Sequence, residues 1–185
     1  MKKSTAHIVF ETERLLVRHY TEEDADNFFL LNSDPEVMRY IRPVKNRQDT
    51  DLFFAEVIQY SKNNPAYGRM AVNEKQSNIF VGSFAIIPLE NTLHMQLGYS
   101  LMPAYWGKGF ATELTKAGLN YVFTQTNLEE IFGVTETENI ESQKVLLKSG
   151  FTHHNNVMEG IKELILEGQL RLTDVEKKVN NLENW

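Results

Sequence analysis

Between Tyr67 and Leu101 the apolar pattern is extended and not helical in three runs, Tyr67 to Val72, Ile79 to Ile87 and Leu93 to Leu101. That pattern belongs to half-buried strands, and the polar turns Asn73 to Asn78 and Pro88 to Asn91 join them as an antiparallel unit. Gly82, inside the second run, marks a bulge or a close backbone approach. The period then changes. Ala111, Leu114, Ala117, Gly118, Tyr121 and Val122 share one face of a long helix. Ile131 to Val134 is a short strand, Ile140 to Lys148 a helix closed by Gly150, and Phe151 to Val157 another strand. Ile161 to Leu172 is a last extended run, and its alternation breaks near Gly168, which leaves its pairing open.

Upstream, Arg14 to His19 reads as a strand following a loosely ordered start. Thr21 and Asp24 form a capping-box-like pair, after which Ala25, Phe28, Phe29 and Asn32 fall at helical spacing. Asp34-Pro35 opens a second short helix reaching Tyr40, and Phe53, Phe54, Val57, Ile58 and Ser61 mark a further one ending before Asn63-Asn64-Pro65. The series predicts an α/β fold, with a mixed and mostly antiparallel sheet of six to seven strands flanked by helices. No repeat or linker interrupts the 185 residues, which read as one domain with a polar tail from Asp174 to Trp185.

Composition narrows the chemistry. With no cysteine there is no disulfide, thiolate nucleophile or Cys-ligated metal, and no His, Asp or Glu spacing implies a metal site. A net charge of -6 argues against nucleic acid as a partner. Without an apolar run of membrane-spanning length or a secretory h-region, the expected location is cytoplasmic.

The sharpest local feature is Tyr105-Trp106-Gly107-Lys108-Gly109-Phe110-Ala111-Thr112, set between a strand and the long helix. Small residues at 107, 109 and 111 let backbone N–H groups approach an anion, and the helix N-terminus adds its positive dipole end. A pyrophosphate is the expected guest; a tight turn with close helix packing is the alternative. The glycine spacing fits neither a dinucleotide-binding fingerprint nor a P-loop.

Six segments in order, Thr12 to Arg18, Thr21 to Ala25, Asp34 to Met38, Leu97 to Leu101, Trp106 to Glu113 and Asn139 to Phe151, resemble the RimJ/RimL branch of the GNAT N-acetyltransferases. The resemblance implies the GNAT acyl-CoA N-acyltransferase fold and acetyl transfer from acetyl-CoA to an amine. The cosubstrate's pyrophosphate would sit on Trp106, Gly107, Lys108, Gly109, Phe110, Ala111 and Thr112. The superfamily pattern Arg/Gln-x-x-Gly-x-Gly/Ala falls on Trp106, Gly109 and Ala111, with Trp106 departing from it. The pantetheine arm would lie along the exposed edge at Ser100 and Leu101, opposite the Ile131 strand, with a hydrogen bond from Asn139. The branch name implies a protein or peptide N-terminal amine as acceptor. A small-molecule amine (amino acid, polyamine or drug) and a non-catalytic CoA-binding module are the alternatives, and both a monomer and a homodimer stay open.

Aminolysis of a thioester needs a neutral amine in line, stabilisation of the developing oxyanion and a proton for the departing thiolate. In many relatives a carboxylate stands at the position of Gln96, which cannot take a proton. Elsewhere in the superfamily a tyrosine seven residues after the asparagine protonates the thiolate, and here that position holds Leu146. Ser142, three residues after Asn139, is the expected substitute; a hydroxyl that only satisfies the first helical turn is the alternative. Tyr99 belongs to the family's Gly-Tyr motif, where wall packing is the commoner role. His94 shares a strand face with Gln96 and could accept a proton through water. Five acids and no Lys or Arg lie between Leu128 and Gln143, giving either a rim that attracts a cationic amine or a solvated acidic face.

Overall fold

The computed structural model describes residues 7–90, 92–159 and 162–167, the last two strands by their backbone alone. Eight strands form one sheet in the order β1-β2-β3-β4-β5-β6-β8-β7. They are β1 (Ile8–Glu11), β2 (Leu15–His19), β3 (Gly68–Glu74), β4 (Phe80–Pro88), β5 (Met95–Leu101), β6 (Phe132–Glu136), β7 (His153–Glu159) and β8 (Lys162–Glu167). The helices are α1 (Ala25–Ser33), α2 (Pro35–Met38), α3 (Arg47–Asn63), α4 (Phe110–Gln125) and α5 (Ile140–Ser149). The expected mixed, mostly antiparallel α/β architecture is thus found. The strand beyond the expected number is β1, from the stretch read as loosely ordered. It is short and half exposed, and Phe10 ties it down with ring contacts to Phe84 and Tyr121, 5.2 and 5.4 Å between centroids. Of the final run, β8 lies between β6 and β7 and pairs antiparallel with both; the rest of that run and the tail fall outside the described residues.

Strand alternation divides the core into two layers. Met70, Val72, Phe84, Ile86, Leu97 and Leu101 face α4, whose Phe110, Leu114 and Val122 close that layer. Ala71 lies on the other face, under Tyr20, Phe28, Val37 and Phe54 from the α1–α3 side. The Thr21–Asp24 capping box forms, although it opens a 3-10 turn ahead of α1. Asp24, 4 % exposed, holds Arg18 through two bonds of 2.7 and 2.8 Å. Burial alone would raise the Asp24 carboxyl, but the bonds from Arg18 and Thr21 outweigh it and hold the group below its ordinary value.

Gly118 sets how closely α4 approaches the sheet. A Cβ there would stand 2.4 Å from Cζ of Phe84, a ring with no exposed surface. Gly118→Ala is therefore expected to cost about 1–3 kcal/mol of stability through overpacking, read as a lower urea midpoint.

Candidate active site

The one parallel contact in the sheet, β5 with β6, lasts for two residue pairs, Gln96↔Phe132 and Leu97↔Gly133. Beyond Leu97 the strands part: β5 stays on β4 as far as Leu101, while β6 is drawn to β8. The backbone edge of β5 from Gly98 to Leu101 thus borders a cleft of about 1040 Å³. Gln96, Tyr99, Ser100, Leu101, Asn139 and Ser142 line it, as do Trp106, Gly107, Gly109, Phe110, Ala111 and Thr112. Of the expected site residues only Lys108 does not; its ammonium lies over the Tyr105 ring, 4.9 Å from the centroid.

The loop after β5 is held open by left-handed backbone. Gly107 has φ +72°, and a Cβ on it would meet nothing within 4 Å; Gly109, at φ +78°, is the N-cap of α4. Sequence reasoning missed what pins this loop. Glu113, in the first turn of α4, accepts bonds from the Thr12 hydroxyl (2.5 Å), the Arg14 N–H (2.9 Å) and the Arg14 guanidinium (2.6 Å). The same guanidinium donates to the Lys108 carbonyl at 3.0 Å and lies 4.5 Å from the Phe110 ring centroid. Burial would raise the Glu113 carboxyl, but the Thr12 and Arg14 bonds hold it below the usual carboxylate value, so the clamp is ionic at neutral pH. The opposite charges of Arg14 and Glu113 sat in two of the motifs quoted above, but nothing local joins residues so far apart. Trp106 anchors the other side of the loop, its indole donating to the Leu101 carbonyl at 2.7 Å.

α5 supplies the facing wall. Asn139 caps it, accepting from the Ser142 N–H at 3.2 Å, and Gly150 ends it in the left-handed conformation. The Asn139 cap serves the Ser142 backbone, while the Ser142 hydroxyl lies 3.4 Å from the Tyr99 hydroxyl, which donates to it. Leu146 is buried in the core. Gln96, whose amide donates to the Pro88 carbonyl at 3.3 Å, lies on the opposite face of β5 from Tyr99. His94 is turned away: it bonds Glu130 at 2.9 Å, packs at a tilt against the Phe132 ring and does not line the cleft. Of the five acids in the Leu128 to Gln143 stretch, Glu136 and Glu141 border the cleft. Among the described residues no group of His, Asp or Glu could hold a metal ion, and no helix is long and apolar enough to cross a membrane.

These elements fit one kind of guest. Open glycine backbone at the N-terminus of a 16-residue helix suits a pyrophosphate, and a free strand edge running away from it suits an amide-bearing arm. A splayed parallel pair leading into such a loop suits an extended cosubstrate with a pyrophosphate at one end. Residues 14–152 match the acetyltransferase (GNAT) domain, and the chain belongs to that family. It is 33 % identical over 168 residues to the uncharacterized N-acetyltransferase p20 of Bacillus licheniformis, covering 89 % of this chain and 90 % of that one. The fold is shared with RimL, a ribosomal L7/L12 alpha-N-protein acetyltransferase solved with coenzyme A, at a TM-score of 0.76 and 13 % identity, covering 91 % of this chain and 99 % of that one. It is shared too with the spermidine N-acetyltransferase of Vibrio cholerae solved with CoA and spermine, at a TM-score of 0.73 and 20 % identity, covering 87 % and 97 %. The protein is an acetyl-CoA-dependent N-acetyltransferase.

The cradle yields a direct test. Gly109→Val forces a β-branched residue into the left-handed region and brings a Cβ to 3.5 Å from the Arg14 guanidinium. The expected result is at least a roughly tenfold loss of acetyl-CoA affinity by calorimetry, equivalent to about 1.4 kcal/mol, with the circular dichroism spectrum unchanged. Unchanged affinity would place the cradle elsewhere.

Proposed function

We propose that the chain moves an acetyl group from acetyl-CoA directly to a primary amine in a ternary complex, with Ser142 and Tyr99 delivering the proton to the departing thiolate. The observation that carries this reading is the contact between the two hydroxyls at the N-terminus of α5, inside the cleft. A strand tyrosine and a helix serine together supply the hydroxyl that the superfamily's helix tyrosine would give, in the place left by Leu146. Acetyl-CoA brings the activated thioester; the chain supplies placement and protons. Trp106 to Thr112 hold the pyrophosphate, with the loop kept in shape by Arg14. Ser100 and Leu101 offer their backbone edge to the pantetheine arm, and the Asn139 amide N–H₂, not used by its cap, bonds the same arm. Gln96, held by Pro88, orients the amine through its side-chain carbonyl oxygen and takes no proton, so the amine enters neutral or loses its proton to water. With no cysteine in the chain, no thiol can carry the acyl group between the two substrates.

Two acceptor classes fit the cleft. A peptide N-terminal amine, as in the RimJ/RimL branch, is supported by the shared fold with RimL. A small amine is supported by the shared fold with the spermidine enzyme, and by the charge inside the cleft described below.

Free-thiol release from acetyl-CoA, with acceptor pools of N-terminal peptides, polyamines, amino acids and amine drugs, tests transfer and acceptor class together. Release above the blank in one pool is the expected outcome. Ser142→Ala is then expected to lower kcat by about 100-fold, the scale of a lost general acid, while acetyl-CoA affinity stays within about twofold. Tyr99→Phe should act in the same direction, and the double variant should be little worse than Ser142→Ala, because the two hydroxyls work as a unit. Equal losses of affinity and turnover would remove Ser142 from the proton path.

A further inference from the structure

Arg42 and Arg69 both line the cleft on the side away from the pyrophosphate loop. They share one aromatic neighbour: their guanidinium carbons lie 5.0 and 5.4 Å from the centroid of the Phe53 ring. Neither is ion-paired among the described residues, and Nε of Arg42 is buried without a hydrogen-bond partner. Burial, and then the charge of Arg69, push the Arg42 guanidinium down to about 10, and burial lowers Arg69 as well. Two half-buried guanidinium groups side by side in a cleft, with no ion pair of their own, offer a carboxylate a charged and directional partner.

Sheet register places them. Arg69 on β3 stands opposite Ala85 on β4, which stands opposite Gly98 on β5. Two strand spacings separate Arg69 from Gly98, about 10 Å between backbones, with only a methyl group as side chain between them. A Cβ on Gly98 would meet nothing within 4 Å, so this row is an open floor leading from the arginines to the edge of β5. Gln96 lies two residues along β5 from Gly98, on the same face. The pyrophosphate loop begins beyond the other end of β5, with Arg69 set back from it by the length of Gly98 to Leu101, roughly 10 Å. The arginines are therefore placed for the acceptor and not for the phosphates of the cosubstrate.

Resting on the transfer reading above, we infer that the acceptor is a small amino carboxylate: Arg42 and Arg69 take its carboxylate, and its amine lies over Gly98 beside Gln96. A planar guanidinium matches a carboxylate with two parallel bonds, and the short span from the arginines to the β5 edge suits an amine and a carboxylate few bonds apart. A polyamine brings no anion and meets two like charges. A peptide N-terminus carries an amide where the arginines need a carboxylate.

The test compares matched acceptors on the full chain with acetyl-CoA: amino acids against their own carboxamides, with spermidine and a neutral peptide alongside, read as thiol release. The expected kcat/KM for the acids exceeds that for the amides by about 10- to 100-fold, the scale of a charged bidentate contact. Arg69→Gln and Arg42→Gln should erase that preference by lowering the rate with the acids, while acetyl-CoA affinity stays within about twofold. Because the acid-to-amide ratio is measured on the unaltered protein, a variant that fails to fold does not decide the matter. Equal rates for acid and amide, or a preference for spermidine or the peptide, overturn the inference while leaving acetyl transfer established. No release above the amine-free blank with any acceptor overturns the transfer reading instead. Calorimetry of amino acids on the CoA-loaded protein then decides: binding weakened by Arg69→Gln upholds the carboxylate site, and no binding removes it.

Discussion

The site depends on a failure of pairing. β5 and β6 share two residue pairs, while on their outer sides β5 makes seven pairs with β4 and β6 four with β8. Each strand is thus committed to its own half of the sheet, and the right-handed twist carries the halves apart beyond Leu97. Both crossing helices begin where that gap opens, since α4 follows β5 and α5 follows β6. Their N-termini converge on it, one capped by Gly109 and the other by Asn139. Two helix N-termini, each a positive dipole end, therefore border the cleft at the place where the proposed reaction puts the pyrophosphate and the departing thiolate.

The two faces of β5 then divide the labour. Tyr99 looks toward α5 and meets Ser142. Gln96, Gly98 and Ser100 look the other way, toward the floor that ends at Arg69. In the transfer proposed above the amine adds to the carbonyl carbon from the Gln96 side while the thiolate takes its proton from the Ser142 side, and a strand with alternating side chains offers both from one backbone. The side chain missing at Gly98 leaves room between them.

Much of this was legible because its causes are local. Periodicity located seven of the eight strands, Asp34-Pro35 and Thr21–Asp24 marked their helical starts, and Gly150 ended α5 as a left-handed cap. The glycine loop was recognisable because its chemistry lies within eight consecutive residues. β1 escaped because four half-exposed residues carry no pattern, their order coming from Phe10 on a distant ring pair. The hydroxyl contact of Tyr99 was hidden for a similar reason, since a strand's face can be counted but the element that will cover it cannot. The arginine pair left no trace at all: Arg42 lies in a connection and Arg69 in a strand, and the fold alone sets them on one ring.

The clamp on the pyrophosphate loop joins residues 99 apart in sequence, Arg14 to Glu113. Closing a loop of that length is entropically costly, so the clamp stands only on an assembled sheet and α4. A cosubstrate that binds this native loop and not the unfolded chain deepens the native state by mass action. Cosubstrate supply would then set how strongly the folded enzyme outweighs its unfolded chain.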